Sequence, residues 1–506
     1  MKRFYIFFMV AALGLSSCND WLDVDSKTSI PMDKQFRTEE GFKDALTGVY
    51  LKLGTTTLYA GDLTYAYLDE LAGLYSSYPG HNEAQLYDQS FVFDYNNRFM
   101  QKKDAICSEM YNVIANVNNL LAYLDKKRDV LQTERYYEIM KGEALGMRAF
   151  LHFDLLRLFG PVYKDNPTAP AIPYRVTYDR DATPVLPANQ VVEAVLKDLN
   201  EAEQLLGKND PLDFFTNQYD TEYDQKNKFL VSREFRMNLY AVKAMLARVY
   251  CYKGDAESRA KAVQYARDVI AANKVFTLYN AQTAANYNSV RYGEQVFGIY
   301  VDELSTLLDG NYMNMENTNE QYHFATSEAN FNYFYEAEAA GNTDWRKNPE
   351  MFEVSGNGGS AYAFCRKYNQ KPLRNTSDYS GEKAVPLIRL PEMYYIVAEC
   401  ESNQARSLEA LNAVRFARGI SYSDEIKAAG YDQPDATSTE SPAQTKRVNE
   451  LMKEYRKEYF GEGQLFYFLK AHAFTTYRGC GVKEMTAKQY QIPLPDAESI
   501  FGNNTK

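Results

Sequence analysis

The sequence predicts a mainly α protein, with tetratricopeptide-like helix pairs as a scaffold and an irregular, loop-rich lobe set into it. Three observations lead there. Apolar residues recur at three- and four-residue steps in several separate stretches, each closed by Gly, Pro or polar clusters. Residues 232–273 read as a helical hairpin. There Leu246-Ala247-x2-Tyr250 matches the core of the tetratricopeptide pattern, and small Ala247 permits close helix approach. Residues 274–387 lose this rhythm and read as short strands and turns.

Taken in order, a first helix follows Thr38-Glu39-Glu40-Gly41-Phe42 and carries Ala45, Leu46, Val49 and Tyr50, within about 33–53. Residues 54–103 are punctuated by Gly, Pro and Asn and studded with Tyr, which predicts a long loop region with short helices. The spacing of Ile106, Met110, Val113, Val117, Leu120 and Leu124 predicts a helix over 104–127. Its partner runs over 133–159, stopped by Gly160-Pro161. Glu143, Arg148 and Asp154 on this partner read as helical ion pairs. Six prolines make 161–188 an extended connector, and a helix resumes over 188–206. In the hairpin, Gly254 ends the first helix and Asp255 caps the second. Gln295–Tyr300 reads as a strand. Gly356-Asn357-Gly358-Gly359 lacks the Lys-Ser/Thr and the strand–helix frame of a phosphate loop. The helical rhythm returns at Ile388 and continues to about 470, including a helix over 444–460.

Composition narrows the chemistry. A net charge of −11 argues against nucleic acid as a partner. The 42 Tyr against 2 Trp suit seams between helices and, equally, wet sugar-like or peptide-like surfaces. The four His are far apart, with no H-E-x-x-H and no C-x-x-C. No cofactor and no metal site is therefore expected, and only folding can bring distant donors together. Lys2-Arg3 and the apolar run Phe4–Leu15 are a signal-peptide pattern. It ends in Leu15-Ser16-Ser17-Cys18, which resembles a bacterial lipobox, so residues 1–17 are the expected leader and Cys18 the expected lipid-attachment residue. Five widely spaced Cys remain, unlike a disulfide framework.

Several motifs then point one way. Asp20-Trp21-Leu22-Asp23 follows the lipobox, and Glu143-Ala144-x3-Arg148-Ala149-x3-Phe153-x-Leu155-x3-Phe159-Gly160 forms one helix. Asp344-Trp345-Arg346, Arg389-x-x-Glu392-x-Tyr394 and Leu411-Asn412-x-Val414-Arg415 come later, followed by Glu454-x3-Glu458-x3-Glu462-Gly463 and Pro493-Leu494-Pro495-x-x-Glu498. Together they resemble the SusD/RagB family of surface lipoproteins from Bacteroidetes-type bacteria, over nearly all of 18–506 as one unit. The pattern departs where Ala417-Arg418 stand in swapped order. It departs again where Leu465 and Phe468 occupy positions that usually carry Arg and Asp, which reads as an ion pair replaced as a whole. The family's usual N-P…Q-N tail is also absent.

The resemblance implies a lipid-anchored, outer-membrane, cell-surface protein. Such a protein binds a nutrient, usually a glycan, and delivers it to a SusC-like TonB-dependent transporter, docking through its helical face. It implies no enzymatic activity. It also implies that the irregular regions 54–103 and 274–387 face the ligand, with Tyr75, Tyr78, Tyr312, Tyr322 and Trp345 as contact candidates. Trp345 has two readings, a stacking platform or a packing residue beside the Asp-x-Arg element. The alternatives to glycan are a peptide or other non-glycan nutrient, or a lid or scaffold without its own ligand. A surface glycosidase needs a carboxylate pair about 5–9 Å apart, and no motif marks one.

Overall fold

Helices form where the three- and four-residue apolar spacing is strongest and where caps fix their ends. The computed structural model describes residues 32–76, 84–211, 228–280, 292–311, 325–348, 351–356, 361–368 and 383–496. Helix α1 (Glu39–Leu53) starts at Thr38, whose hydroxyl accepts the Gly41 N–H at 3.2 Å. It is followed by α2 (Asn97–Lys126), α3 (Tyr136–Phe159) and α4 (Ala188–Asn209). The hairpin is α5 (Leu239–Lys253) and α6 (Ala256–Ile270). The C-terminal set is α7 (Leu390–Cys400), α8 (Gln404–Ala417), α9 (Lys446–Glu458) and α10 (Gln464–Ala471).

Consecutive helices pack on each other, α2 on α3, α3 on α4, α5 on α6, α6 on α7 and α7 on α8, which is the tetratricopeptide-like arrangement. The hairpin turn is built as its residues dictate. Gly254 takes φ +77°, a left-handed conformation open to glycine, and Asp255 accepts the Ser258 N–H at 3.0 Å. No helix among the described residues is long and apolar enough to cross a membrane.

Two elements differ from the sequence expectation. Helix α2 begins at Asn97, about two turns before Asp104, because Phe99 is already fully buried and its first turns belong to the core. The charges of α3 reach out to neighbouring elements instead of mainly pairing along their own helix. Glu143 binds Arg233 at 2.6 Å, Arg236 at 2.9 Å and the Tyr50 hydroxyl at 2.7 Å. Arg148 makes a two-pronged pair with Asp198 of α4 at 2.7 and 2.8 Å, and only Asp154–Arg157 is a pair within the helix. Helix α3 is buried almost all round, so its charges meet residues from every side.

The connector after α3 forms the short antiparallel ribbon β1 (Pro170–Pro173) with β2 (Val185–Pro187). In the irregular lobe, β3 (Gln295–Tyr300) forms where alternation predicted it. The strands β4 (Ala325–Ser327), β5 (Phe352–Ser355) and β6 (Tyr362–Cys365) make an antiparallel sheet in the order β4-β6-β5. Strand β7 (Ala384–Arg389) pairs antiparallel with β3 and leads straight into α7, which ties the lobe to the scaffold.

Candidate functional site

The lobe meets the scaffold at a buried cluster of charges assembled from four sequence motifs. Along α9, Glu454 and Glu458 fall on one face, and Glu462 follows on the turn. Arg346 binds Asp344 at 2.6 Å, Glu454 at 2.9 Å and Glu458 at 3.1 Å. Arg389 binds Glu458 at 2.7 Å, Glu462 at 2.8 Å and Glu294 at 3.0 Å. Arg418 binds Glu458 and Glu294, each at 2.9 Å, and Arg415 binds Glu454 at 2.8 Å. Burial alone would raise the Glu454 carboxyl, but Arg346, Lys457 and Arg415 hold it well below the usual carboxylate range. Each acid is charge-paired and closed off from solvent, so this cluster fixes structure and offers no general acid or base.

Trp345 sits on top of this cluster. Asp344 caps the turn Trp345–Lys347 by accepting the Arg346 N–H at 3.0 Å. The indole Nε1 donates to the Ala417 carbonyl at 2.9 Å, and the Arg418 guanidinium lies 5.4 Å from the ring centroid. The ring is half-buried and held from below. It packs on the cluster and still presents part of its surface.

The other aromatic candidates divide. Tyr75 is 2% exposed. Its hydroxyl donates to the Tyr65 carbonyl at 2.6 Å, and its ring meets Phe460 edge-on. It supports the lobe from within. Tyr78, Tyr312 and Tyr322, like Cys18, lie outside the described residues.

A cavity of 470 Å³ opens between α3, α5, α6, α7, α9 and α10. Phe153, Tyr252, Tyr455, Tyr467 and Phe468 give it aromatic walls, and Arg157, Lys164 and Gln464 give it polar ones. Tyr455 and Phe468 stack at 4.5 Å, and the Arg157 guanidinium lies 3.8 Å over the Tyr467 ring. Arg248 and Glu392 form a two-pronged pair at 2.5 and 2.6 Å in its wall. Three buried polar atoms around it, Tyr252 Oη, Tyr467 Oη and Arg157 Nε, have no hydrogen-bond partner. Aromatic faces beside unspent donors suit a small ligand with both apolar and polar surface. Also on the wall, Cys251, Glu399 and Cys400 place their donor atoms within 4.8 Å of one another.

Sequence reading missed this cavity, because its lining comes from six helices spread along the chain. The one available signal was Phe468, a ring where the family pattern has Asp. Leu465 and Phe468 are both buried, and the Phe468 ring stacks on Tyr455.

Residues 215–470 match the SusD family, and residues 20–218 match a SusD-like family described as starch-binding, associating with the outer membrane. SusD-like protein P38 of Formosa agariphila is 25% identical over 268 residues, spanning 51% of this chain and 44% of that protein. The chain thus matches less than half the length of this curated relative. A SusD superfamily protein of Bacteroides thetaiotaomicron has a TM-score of 0.68 at 20% identity, with 92% of this chain and 98% of that chain covered. A SusD-like carbohydrate binding protein of Bacteroides vulgatus has a TM-score of 0.65 at 18% identity, with 92% and 97% covered. At these identities the likeness to the solved structures is one of fold.

Proposed function

The chain belongs to the SusD family, and from that premise we propose that it captures a glycan at the cell surface and hands it to a SusC-like TonB-dependent transporter. The observation that carries the reading is the pair of family matches, which together run from residue 20 to residue 470, one of them to a family described as starch-binding at the outer membrane. Membrane attachment through a lipid on Cys18 rests on the lipobox pattern. Docking on the transporter is assigned to the helical face, which leaves the lobe free for ligand. The function is binding without turnover, as in the family.

On the lobe, Trp345 is the proposed stacking residue, because it is half-buried, fixed by its Nε1 hydrogen bond and backed by Arg418. Tyr78, Tyr312 and Tyr322 are proposed as further ligand contacts on the strength of the sequence alone, and Tyr75 as a buried support within the lobe. A second place for a sugar ring has its own observation, the unpaired Tyr252 and Tyr467 hydroxyls beside the aromatic cavity walls.

Affinity-gel electrophoresis across a panel of polysaccharides tests this, with Trp345→Ala and Tyr252→Ala alongside. Retardation by one glycan that Trp345→Ala abolishes supports capture on the lobe. Retardation lost only in Tyr252→Ala moves the ligand to the cavity. No retardation by any glycan refutes glycan capture and leaves peptide ligands, or a lid without ligand, to be tested by co-purification of the transporter.

A further inference from the structure

The cavity wall brings together Cys251, Glu399 and Cys400 from two separate helices, with His472 beside Glu399. Cys251 lies in the last turn of α5, Glu399 and Cys400 end α7, and His472 follows directly after α10. The Cys251 and Cys400 Sγ atoms are 3.3 Å apart. Their sulfurs and a Glu399 carboxylate oxygen all lie within 4.8 Å of one another. His472 Nε2 is 3.2 Å from Glu399 Oε1. We propose that Cys251, Cys400 and Glu399 bind a thiophilic divalent cation of the zinc type, with His472 completing the coordination from the cavity side.

Four physical arguments support this. Two thiolates, a carboxylate and an imidazole are a donor set that suits zinc-like ions. A tetrahedral ion with bonds of about 2.3 Å sets two sulfurs about 3.8 Å apart, so only a small opening of the present thiol pair is needed. The ends of three helices converge here, and each is a C-terminus, the negative end of a helix dipole, which favours a cation. Charge also balances. Two thiolates and a carboxylate carry three negative charges, and the divalent ion with the nearby Arg259 guanidinium supplies three positive ones.

The site is also held and reachable. Arg259 donates to the Glu399 carbonyl, and Arg447 donates to the carbonyls of Ala398 and Glu401 at 3.2 and 2.8 Å, which fixes the end of α7. Cys251, Glu399 and His472 line the open cavity, so an ion has an entry path. On binding, each thiol loses its S–H proton to solvent and each sulfur lone pair forms a metal–sulfur bond, with no redox change.

The test is titration of the reduced, chelator-treated full chain with zinc chloride by calorimetry, and with cobalt(II) by absorption spectroscopy. The expected result is one ion per chain, proton release, and thiolate-to-cobalt charge transfer. His472→Ala and Cys400→Ser should each weaken binding by about tenfold or more. His472 lines the cavity and is partly exposed, so His472→Ala keeps the test alive if the cysteine variant does not fold. No saturable binding to the reduced protein overturns the proposal. So does affinity unchanged in His472→Ala and Cys400→Ser, or a chain whose Cys251 and Cys400 are joined as a disulfide and bind no metal when reduced.

Discussion

Replacing Glu458 by Gln should destabilise the protein more than any other single isosteric change in the charge cluster. Its carboxylate accepts from Arg346 at 3.1 Å, from Arg389 at 2.7 Å and from Arg418 at 2.9 Å, all with no solvent exposure. Glutamine keeps the shape but removes the charge, and three buried guanidinium groups lose a shared partner. Breaking a buried pair in this way costs about 3–5 kcal/mol. An unfolding entropy of about 2.1 cal/mol/K per residue gives about 1 kcal/mol/K for a chain of this size, so Tm should fall by roughly 3–5 °C. Calorimetry on the wild type and Glu458→Gln measures this. Glu257→Gln is the control, since its pair with Lys261 is exposed on both sides and exposed pairs contribute little. A Tm for Glu458→Gln within a degree of the control would refute the view that this cluster locks the lobe to the scaffold. Because Arg418 also backs the Trp345 ring, the variant should weaken glycan retardation as well.

Other predictions follow from the same geometry. Gly463 has φ +71° and a Cβ there would lie 2.5 Å from the Leu63 carbonyl oxygen, so Gly463→Ala should cost about 1–3 kcal/mol, read as a lower denaturation midpoint; an unchanged midpoint refutes the close approach. Leu465→Arg with Phe468→Asp together should cost far less stability than either change alone, because each single change buries an unpaired charge; additive melting data would exclude a replaced ion pair. Burial raises the Glu440 carboxyl, but Arg456 and hydrogen bonds from Arg456, the Arg478 N–H and Tyr333 outweigh this and lower it from 4.5 to about 2. Its folded-state value is depressed, so its stabilisation is complete above 4.5 and is lost as pH falls from 4.5 toward 2. The Tm gap between wild type and Glu440→Gln should therefore be widest near neutral pH and close across that window; a gap independent of pH would refute the assignment.

The Glu-x3-Glu-x3-Glu-Gly motif shows how sequence and structure share the account. Its spacing sets Glu454 and Glu458 on one face of a helix, and a chain read residue by residue shows that much. The arginines that neutralise them, Arg346, Arg389, Arg415 and Arg418, come from elements up to 112 positions away and are matched to them only by folding. Local physics made the rest of the scaffold legible. The Thr38, Gly254 and Asp255 caps act within a few residues, and apolar periodicity selects the buried face of each helix without reference to its partner.

The sequence by itself determined the helix-pair scaffold, the strand at Gln295–Tyr300 and the family motifs, because each depends on spacing within one turn or one strand. Tertiary structure alone decided three things. It buried Tyr75 while leaving Trp345 half-exposed, since exposure depends on what packs against a ring. It opened an aromatic cavity between six helices. It set Cys251 against Cys400 and Glu399, and His472 against Glu399, because helix crossings place side chains together with no regard for their distance along the chain.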